Sequence, residues 1–298
     1  MNEGANHCGY TVIVGRPNVG KSTLLNRLLG VRLAITSHKA QTTRHTILGI
    51  KSLQTGQIVY VDTPGIHDRS DNAMNRYLNR TAKTALADVD LVIFMVEALR
   101  WTIEDEKVLG LIKQSDIPVI LVVNKVDRLK RKETLLPYLT EMSLRHPFLE
   151  IVPISAKGGH NLQTLEDLVL KRLPEGENPY PDDQLTDRPE KFFAAELIRE
   201  QITRRYAEEL PYAVSIEIER FEEQTGLYRI NAVIWVEKPG QKGIIIGKHG
   251  HALKEVATQA RKAMQRFFDC KVHLELWVKV KKSWAGDEAA LVRLGYGE

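Results

Sequence analysis

Residues 15–22, GRPNVGKS, set two glycines, a lysine and a serine at the spacing GxxxxGKS, between the β-branched run YTVIV (10–14) and a helical pattern, STLLNRLLG. Glycine at 15 and 20 lets the backbone turn its N–H groups onto phosphates that side chains would otherwise keep away. The helix N-terminus that follows adds a partial positive charge. Lys21 is then placed to reach the outer phosphates and the Ser22 hydroxyl to ligate Mg²⁺. The predicted cradle is Gly15, Arg16, Pro17, Asn18, Val19, Gly20, Lys21, Ser22 and Thr23.

Three further motifs follow in chain order, each at the end of an apolar run. DTPG supplies Asp62, Thr63, Pro64 and Gly65: an aspartate for the Mg²⁺ shell and a glycine N–H for a γ-phosphate. NKVD supplies Asn124, Lys125 and Asp127. The Asp127 carboxylate can accept from guanine N1–H and the 2-amino group, while Asn124 addresses the other edge. Adenine would leave that carboxylate unpaired, and sites built this way discriminate by roughly 10⁴–10⁵. SAK supplies Ser155, Ala156 and Lys157, with the Ala156 N–H expected at the guanine oxygen. Each tetrapeptide alone is a weak signal; four in order on the strand ends of one sheet point to GTP hydrolysis.

The segment VRLAITSHKAQTTRHTILGI (31–50) is read as a loop containing the first switch. It must provide a threonine for Mg²⁺ and the γ-phosphate, and Thr43 is preferred with Thr42 as the alternative. Lys21, Thr43 and Gly65 are the expected catalytic groups, and Ser22, Thr43 and Asp62 the expected metal ligands. After DTPG comes Ile66, which cannot hydrogen-bond an attacking water, so slow intrinsic turnover is predicted. Asn18 could hold a K⁺ near the β- and γ-phosphates, or be an asparagine tolerated in a turn.

These motifs need a scaffold that aligns strand ends. YTVIV, IVYVD (58–62), LVIFMV (91–96), VILVVN (119–124) and EIVPI (150–154) are continuous apolar runs separated by helical patterns. That predicts an α/β domain over residues 1–172 with a mostly parallel sheet covered on both faces. Residues 173–189, LPEGENPYPDDQLTDRP, carry four prolines and five acids; this reads as a semi-rigid spacer between domains. Residues 190–298 change pattern: a helix over 192–210, two alternating strands, a short helix, a long helix and a third strand.

Between the last two helices lies GKHG, with Gly247 and Gly250 framing Lys248 and His249. A GXXG between helices, followed by a strand, looks like a KH domain of type II, an α+β module that clamps single-stranded nucleic acid. Lys254, Arg261 and Lys262 put a basic stripe on the long helix. From Pro239 to Ser283 there are ten Lys/Arg against three Asp/Glu, so the chain's net +4 conceals +7 there and −3 elsewhere. A basic end on a mildly acidic body suits a polyanionic partner.

Hydrophobic residues at 43% and charged residues at 27% suffice for a core in each domain. The longest apolar run is far short of the roughly 20 residues that span a bilayer, and the N-terminus is unlike a secretory signal. Cys8 and Cys270 match no metal spacing and suit free thiols in a reducing cytosol; the nine histidines form no ligand set.

GRPNVGKSTLLNRLLG, KAQTTRHTILGI, DTPGIH, NKVD and SAK, joined to the GKHG module, together resemble the Era family of bacterial GTPases over essentially the whole chain. The resemblance implies a P-loop, Ras-like GTPase domain followed by a type II KH domain, with Mg²⁺ bound alongside GTP or GDP. It also implies single-stranded RNA near the 3′ end of small-subunit ribosomal RNA as partner, and a role in small-subunit assembly. A cytoplasmic monomer with some peripheral association with the inner membrane is expected. An apolar residue at the position of Ile66 fits the family. A GTP-dependent membrane or cell-cycle regulator, with the basic end on lipid or protein, is the rival reading.

Overall fold

The computed structural model describes residues 6–36, 43–65, 73–206, 210, 213–282 and 284. The chain forms two compact units whose main boundary lies between Asp187 and Arg188; among the described residues, 35–36 and 73–77 group with the second.

The first unit is built on a six-stranded sheet in the order β2-β3-β1-β4-β5-β6. Its strands are β1 (His7–Val14), β2 (Ile47–Leu53), β3 (Gly56–Asp62), β4 (Leu91–Glu97), β5 (Val119–Asn124) and β6 (Glu150–Pro153). All neighbours pair parallel except β2 with β3. The apolar runs of β3, β4 and β5 are buried nearly end to end, as strands covered on both faces must be. Helices α1 (Lys21–Leu29), α2 (Ala73–Thr84), α3 (Ile103–Ile112), α4 (Leu135–Ser143) and α5 (Leu162–Arg172) supply the connections. Val12, Val92, Phe94 and Leu121 of the sheet pack with Val108 and Ile112 of α3 and Met142 of α4 in one core.

Two expectations change. Ile47–Ile50 is not loop but the start of β2, which pairs antiparallel with β3 across a tight turn. Its apolar residues, Ile47, Leu48, Ile50 and Leu53, do not alternate, so no period of two marks the strand, and the pairing comes from a hairpin rather than a buried run. The segment expected to be a spacer is docked on the first unit as far as Asp187. Cys8 N–H donates to the Pro174 carbonyl at 2.9 Å, and the buried Gln57 amide brackets Tyr180, accepting its N–H at 3.0 Å and donating to its carbonyl at 2.9 Å. Ile50 N–H then donates to the Leu185 carbonyl at 2.9 Å and Leu48 N–H to Asp187 Oδ1 at 3.2 Å. These bonds cap the edge strand β2, whose backbone groups would otherwise be open to pairing.

The second unit carries α6 (Glu190–Arg205), the antiparallel pair β7 (Val214–Gln224) and β8 (Leu227–Val236), α7 (Pro239–Ile246), α8 (His251–Phe268) and β9 (Lys271–Val280). β9 pairs parallel to β8, giving a three-stranded sheet in the order β7-β8-β9. Ile230, Ala232, Ile234 and Val236 on one face of β8 pack with Ile198 and Ile202 of α6 and Val256, Ala260 and Met264 of α8. α6 ends at Arg205 rather than at residue 210. The C-terminal segment from Trp284 to Glu298, which by sequence reads as a short docking helix, lies, apart from Trp284, outside the described residues.

Candidate functional site

The sheet order brings the C-terminal ends of β3, β1, β4, β5 and β6 side by side, and the four motifs sit on the ends of β3, β1, β5 and β6. Gly20, with φ 114°, precedes α1. A Cβ there would collide with Asn124 Nδ2, so the position needs glycine for conformation and for space. Lys21 is buried and its ammonium donates to the carbonyls of Gly15 at 2.9 Å and Arg16 at 3.1 Å. Burial lowers its pKa to about 8, against the opposing pull of Asp62.

Ser22, Thr43 and Asp62 converge. Ser22 Oγ lies 2.9 Å from Thr43 Oγ1 and donates to Asp62 Oδ2 at 3.1 Å, and Thr43 Oγ1 donates to the same oxygen at 3.4 Å. Asp62 is fully buried, and burial pushes its carboxyl up to about 6 despite the Lys21 ammonium. Its Oδ1 is buried with no protein hydrogen bond. Two hydroxyls and a carboxylate with an orphaned oxygen fit a hard divalent cation such as Mg²⁺. Thr42 and Ile66 lie outside the described residues.

Gly65 reaches the same place: a Cβ on it would lie 3.2 Å from Lys21 Nζ and from Pro17 Cγ. Its backbone therefore runs beside the ammonium that faces the outer phosphates. Thr63 turns inward and donates to the Ile13 carbonyl at 3.0 Å, a structural role. Pro64 is buried behind it. Thr23 is half-buried in the first turn of α1 and Val19 is fully buried. Asn18 is exposed with φ 63°, a conformation that asparagine tolerates without any cation.

At the base loops the structure redistributes the expected roles. Asp127 Oδ1 accepts from Ser155 Oγ at 2.6 Å, which orients the carboxylate. Asn124 donates one N–H to the Val19 carbonyl at 2.7 Å, and its Oδ1 accepts from the Ala156 N–H at 2.9 Å. Asn124 is thus a brace between loops that keeps a second N–H for the base, and the Ala156 N–H, expected at the guanine oxygen, is directed to Asn124. Lys157 is exposed, and its carbonyl accepts from Arg27 at 2.7 Å.

Sequence reasoning assigned Arg16 to the cradle but missed where its side chain goes. Its Nη2 meets Glu97 Oε2 at 2.9 Å and its Nε meets Asp105 Oδ2 at 3.1 Å, while Lys125 Nζ approaches Glu97 Oε2 at 3.0 Å. Neither Glu97 nor Asp105 belongs to a motif, so only the strand order could have disclosed them. Burial would raise the Glu97 carboxyl, but hydrogen bonds from Lys125 and Arg16 hold it below the ordinary carboxylate range.

In the second unit, α7 stops at Gly247, whose φ of 70° and ψ of 177° turn the chain; His249 (φ 51°) and Gly250 (φ 76°) complete a left-handed loop. A Cβ on Gly247 would lie 2.6 Å from that of Ala252. Lys248 and His249 are exposed on this loop, Lys254 and Lys262 are exposed on α8, and Arg261 is half-buried. Ile244, 57% exposed one turn before the loop, adds an apolar surface that the sequence reading did not single out. Among the described residues no group of three or more His, Cys, Asp or Glu could hold a metal, and no helix is long and apolar enough to cross a membrane.

Comparison with known proteins agrees with this geometry. The family model described as 50S ribosome-binding GTPase matches residues 10–125, and the KH domain model matches residues 209–285. GTPase Era of Glaesserella parasuis serovar 5 is 54% identical over 297 residues, covering 99% of both chains. GTPase Era of Azotobacter vinelandii is 55% identical over 294 residues, covering 99% of this chain and 98% of that one. Two solved structures superpose with TM-scores of 0.94 at 39% identity, each over 98% of this chain and 100% of the other. One is a variant of Aquifex aeolicus Era bound to GDP and AlF4⁻, the other Era with MgGDPNP and nucleotides 1506–1542 of 16S ribosomal RNA.

Proposed function

The chain belongs to the Era family of GTPases, and from that premise we propose that it is a GTP-hydrolysing switch that binds single-stranded RNA near the 3′ end of 16S ribosomal RNA and assists maturation of the small ribosomal subunit. The observation that carries the RNA reading is the close superposition on the Era complex with MgGDPNP and nucleotides 1506–1542, taken with the exposed Gly247–Gly250 loop and its basic flank.

For hydrolysis, the N–H groups of residues 15–22 cradle the phosphates and Lys21 supplies charge to the outer ones. Ser22, Thr43 and Asp62 are the residues that would hold Mg²⁺, which neutralises the β- and γ-phosphate oxygens when bound. Gly65 offers its N–H where the γ-phosphate ends, and Asp127, held by Ser155, selects guanine. Ile66, which cannot hydrogen-bond an attacking water, supports slow intrinsic turnover.

For RNA, the two glycines of the left-handed loop allow a phosphate backbone to approach closely, and Lys248, His249, Lys254, Arg261 and Lys262 supply charge. The cytoplasm is the compartment that fits this substrate and the two free thiols, Cys8 and Cys270.

The test is binding of a labelled RNA from the 16S 3′ end, with GDP and with a non-hydrolysable GTP analogue, across a salt series. Tighter binding in the GTP-analogue state supports a GTP-gated assembly factor. Equal RNA affinity in both states removes the gating, and salt-sensitive binding to anionic vesicles with no RNA preference replaces the RNA reading with the membrane one.

A further inference from the structure

A parallel order β1-β4-β5 has a geometric consequence. The phosphate loop leaves β1 and the guanine loop leaves β5, so the end of β4 lies between them. The residue there is Glu97, which aligns with Asn124 in the β4–β5 register. Its carboxylate takes Arg16 Nη2 of the phosphate loop at 2.9 Å and Lys125 Nζ of the guanine loop at 3.0 Å on the same oxygen, Oε2. The glutamate side chain is 16% exposed and the Arg16 side chain 7%. Asp105, whose side chain is fully buried, holds the other edge of the guanidinium through Nε at 3.1 Å. Asp105 cannot drift, because it is locked in the capping box of α3 with Thr102. The backbone of Arg16 is in turn a phosphate-loop element, since its carbonyl accepts from Lys21 Nζ.

We propose that Glu97 is a positioning residue that ties the phosphate loop to the guanine loop through Arg16 and Lys125, so that the two halves of the nucleotide are gripped at a fixed separation. This rests on the assignment of the site to GTP, which GDP binding by the unaltered protein establishes separately. The planar guanidinium between two anchored carboxylates leaves Arg16 little freedom, and charge-assisted bonds of this kind are the strong ones. Asn124 adds a second strut by its bond to Val19, but that strut acts at the far end of the phosphate loop. A bound guanine nucleotide behaves as a chelate. Its base and its phosphates each bind weakly, and the gain on joining them depends on the two subsites being held in register.

That gives a signature which fold stability alone does not produce. Glu97→Gln keeps an acceptor oxygen but removes the charge that holds two cations together, and the register loosens. The dissociation rate of fluorescent GDP, measured by stopped flow, rises about tenfold to a hundredfold, the scale of a lost hydrogen bond to a charged group. Guanosine and pyrophosphate, measured separately as competitors of fluorescent GDP, keep their affinities within about twofold, because each occupies one loop only. Arg16→Gln gives the same split, and the double variant adds little to either single one, as expected of two ends of one link. Parallel weakening of GDP, guanosine and pyrophosphate overturns the proposal in favour of a general structural role. Slower GDP release, from the loss of a negative charge near the phosphates, or an unchanged rate, overturns it as well.

Discussion

The hydroxyls of Ser22 and Thr43 lie 2.9 Å apart although 21 residues separate them, and both turn toward one oxygen of Asp62. One residue comes from the phosphate loop, one from the first switch and one from the end of β3. The cation would occupy the point where three segments far apart in sequence meet.

Thr43→Ala should therefore raise the Mg²⁺ concentration for half-maximal GTP hydrolysis by about tenfold, on the scale of a lost hydrogen bond to a charged group. GDP affinity should change much less, because the switch threonine engages the GTP state. Thr42→Ala should leave the Mg²⁺ curve in place. A shift of the curve by Thr42→Ala and none by Thr43→Ala would reverse the assignment.

Burial lowers the pKa of Lys21 to about 8. Between about 8 and the ordinary lysine value the unfolded chain holds a proton that the folded one has lost, so this group adds stability as pH rises through that window. Phosphate binding favours the ammonium, so GDP binding at pH 9 should take up a proton, approaching one per site. Calorimetry in two buffers of unlike ionisation enthalpy measures it; zero uptake at pH 9 would refute it. Asp62 has the opposite bias, neutral below about 6, so Mg²⁺ should support GDP binding progressively less as pH falls from 7 to 5.

Asp127→Asn exchanges a carboxylate acceptor for an amide that also donates. Xanthine carries an oxygen where guanine carries its amino group, so the variant should prefer XTP to GTP. The ratio of kcat/KM values should move by about 10⁴ in favour of XTP. Retained GTP preference would place guanine recognition elsewhere than the Ser155–Asp127 pair.

Lys248→Ala and Lys254→Ala should each weaken RNA binding across sequences and lower the slope of log K against log salt by about 0.7, the value for one phosphate of a single strand. Gly247→Asp should abolish binding, since a side chain there is strained by φ and crowded by Ala252. If the lysine variants leave the salt slope unchanged, the loop is not a phosphate clamp.

Turnover of the protein alone should remain well below about 1 s⁻¹, the range of partner-stimulated GTPases. Replacing KCl with NaCl should leave the rate unaltered if Asn18 is only a turn residue, as its left-handed backbone permits. A several-fold loss in NaCl would instead give Asn18 a K⁺.

Much of this was legible from residue order because phosphate and guanine chemistry fix both residue type and spacing. Gly15 to Ser22, Asp62 to Gly65 and Asp127 stand where their motifs put them. What escaped was what spacing does not encode. Glu97 and Asp105 act through the lateral order of strands, which a linear pattern does not contain. Asn124 and Ala156 look like base contacts in isolation, yet they bond to each other because their loops are neighbours. β2 places its apolar residues, Ile47, Leu48, Ile50 and Leu53, without alternation and so gives no strand period, and the proline-rich segment looks solvated because its docking uses backbone groups and Gln57 rather than a hydrophobic stripe.

That docking changes the mechanics of the joint. A free coil of the seventeen residues from Leu173 to Pro189 would spread its ends by about 20–25 Å, a slack leash. Anchored through Asp187, the segment leaves only Arg188 and Pro189 before α6 begins at Glu190. The proline ring also removes one of the few torsions left, holding φ at −71°. The segment through Asp187 is therefore an outer strap along the β2 edge of the first unit's sheet, held by main-chain bonds rather than left as slack chain.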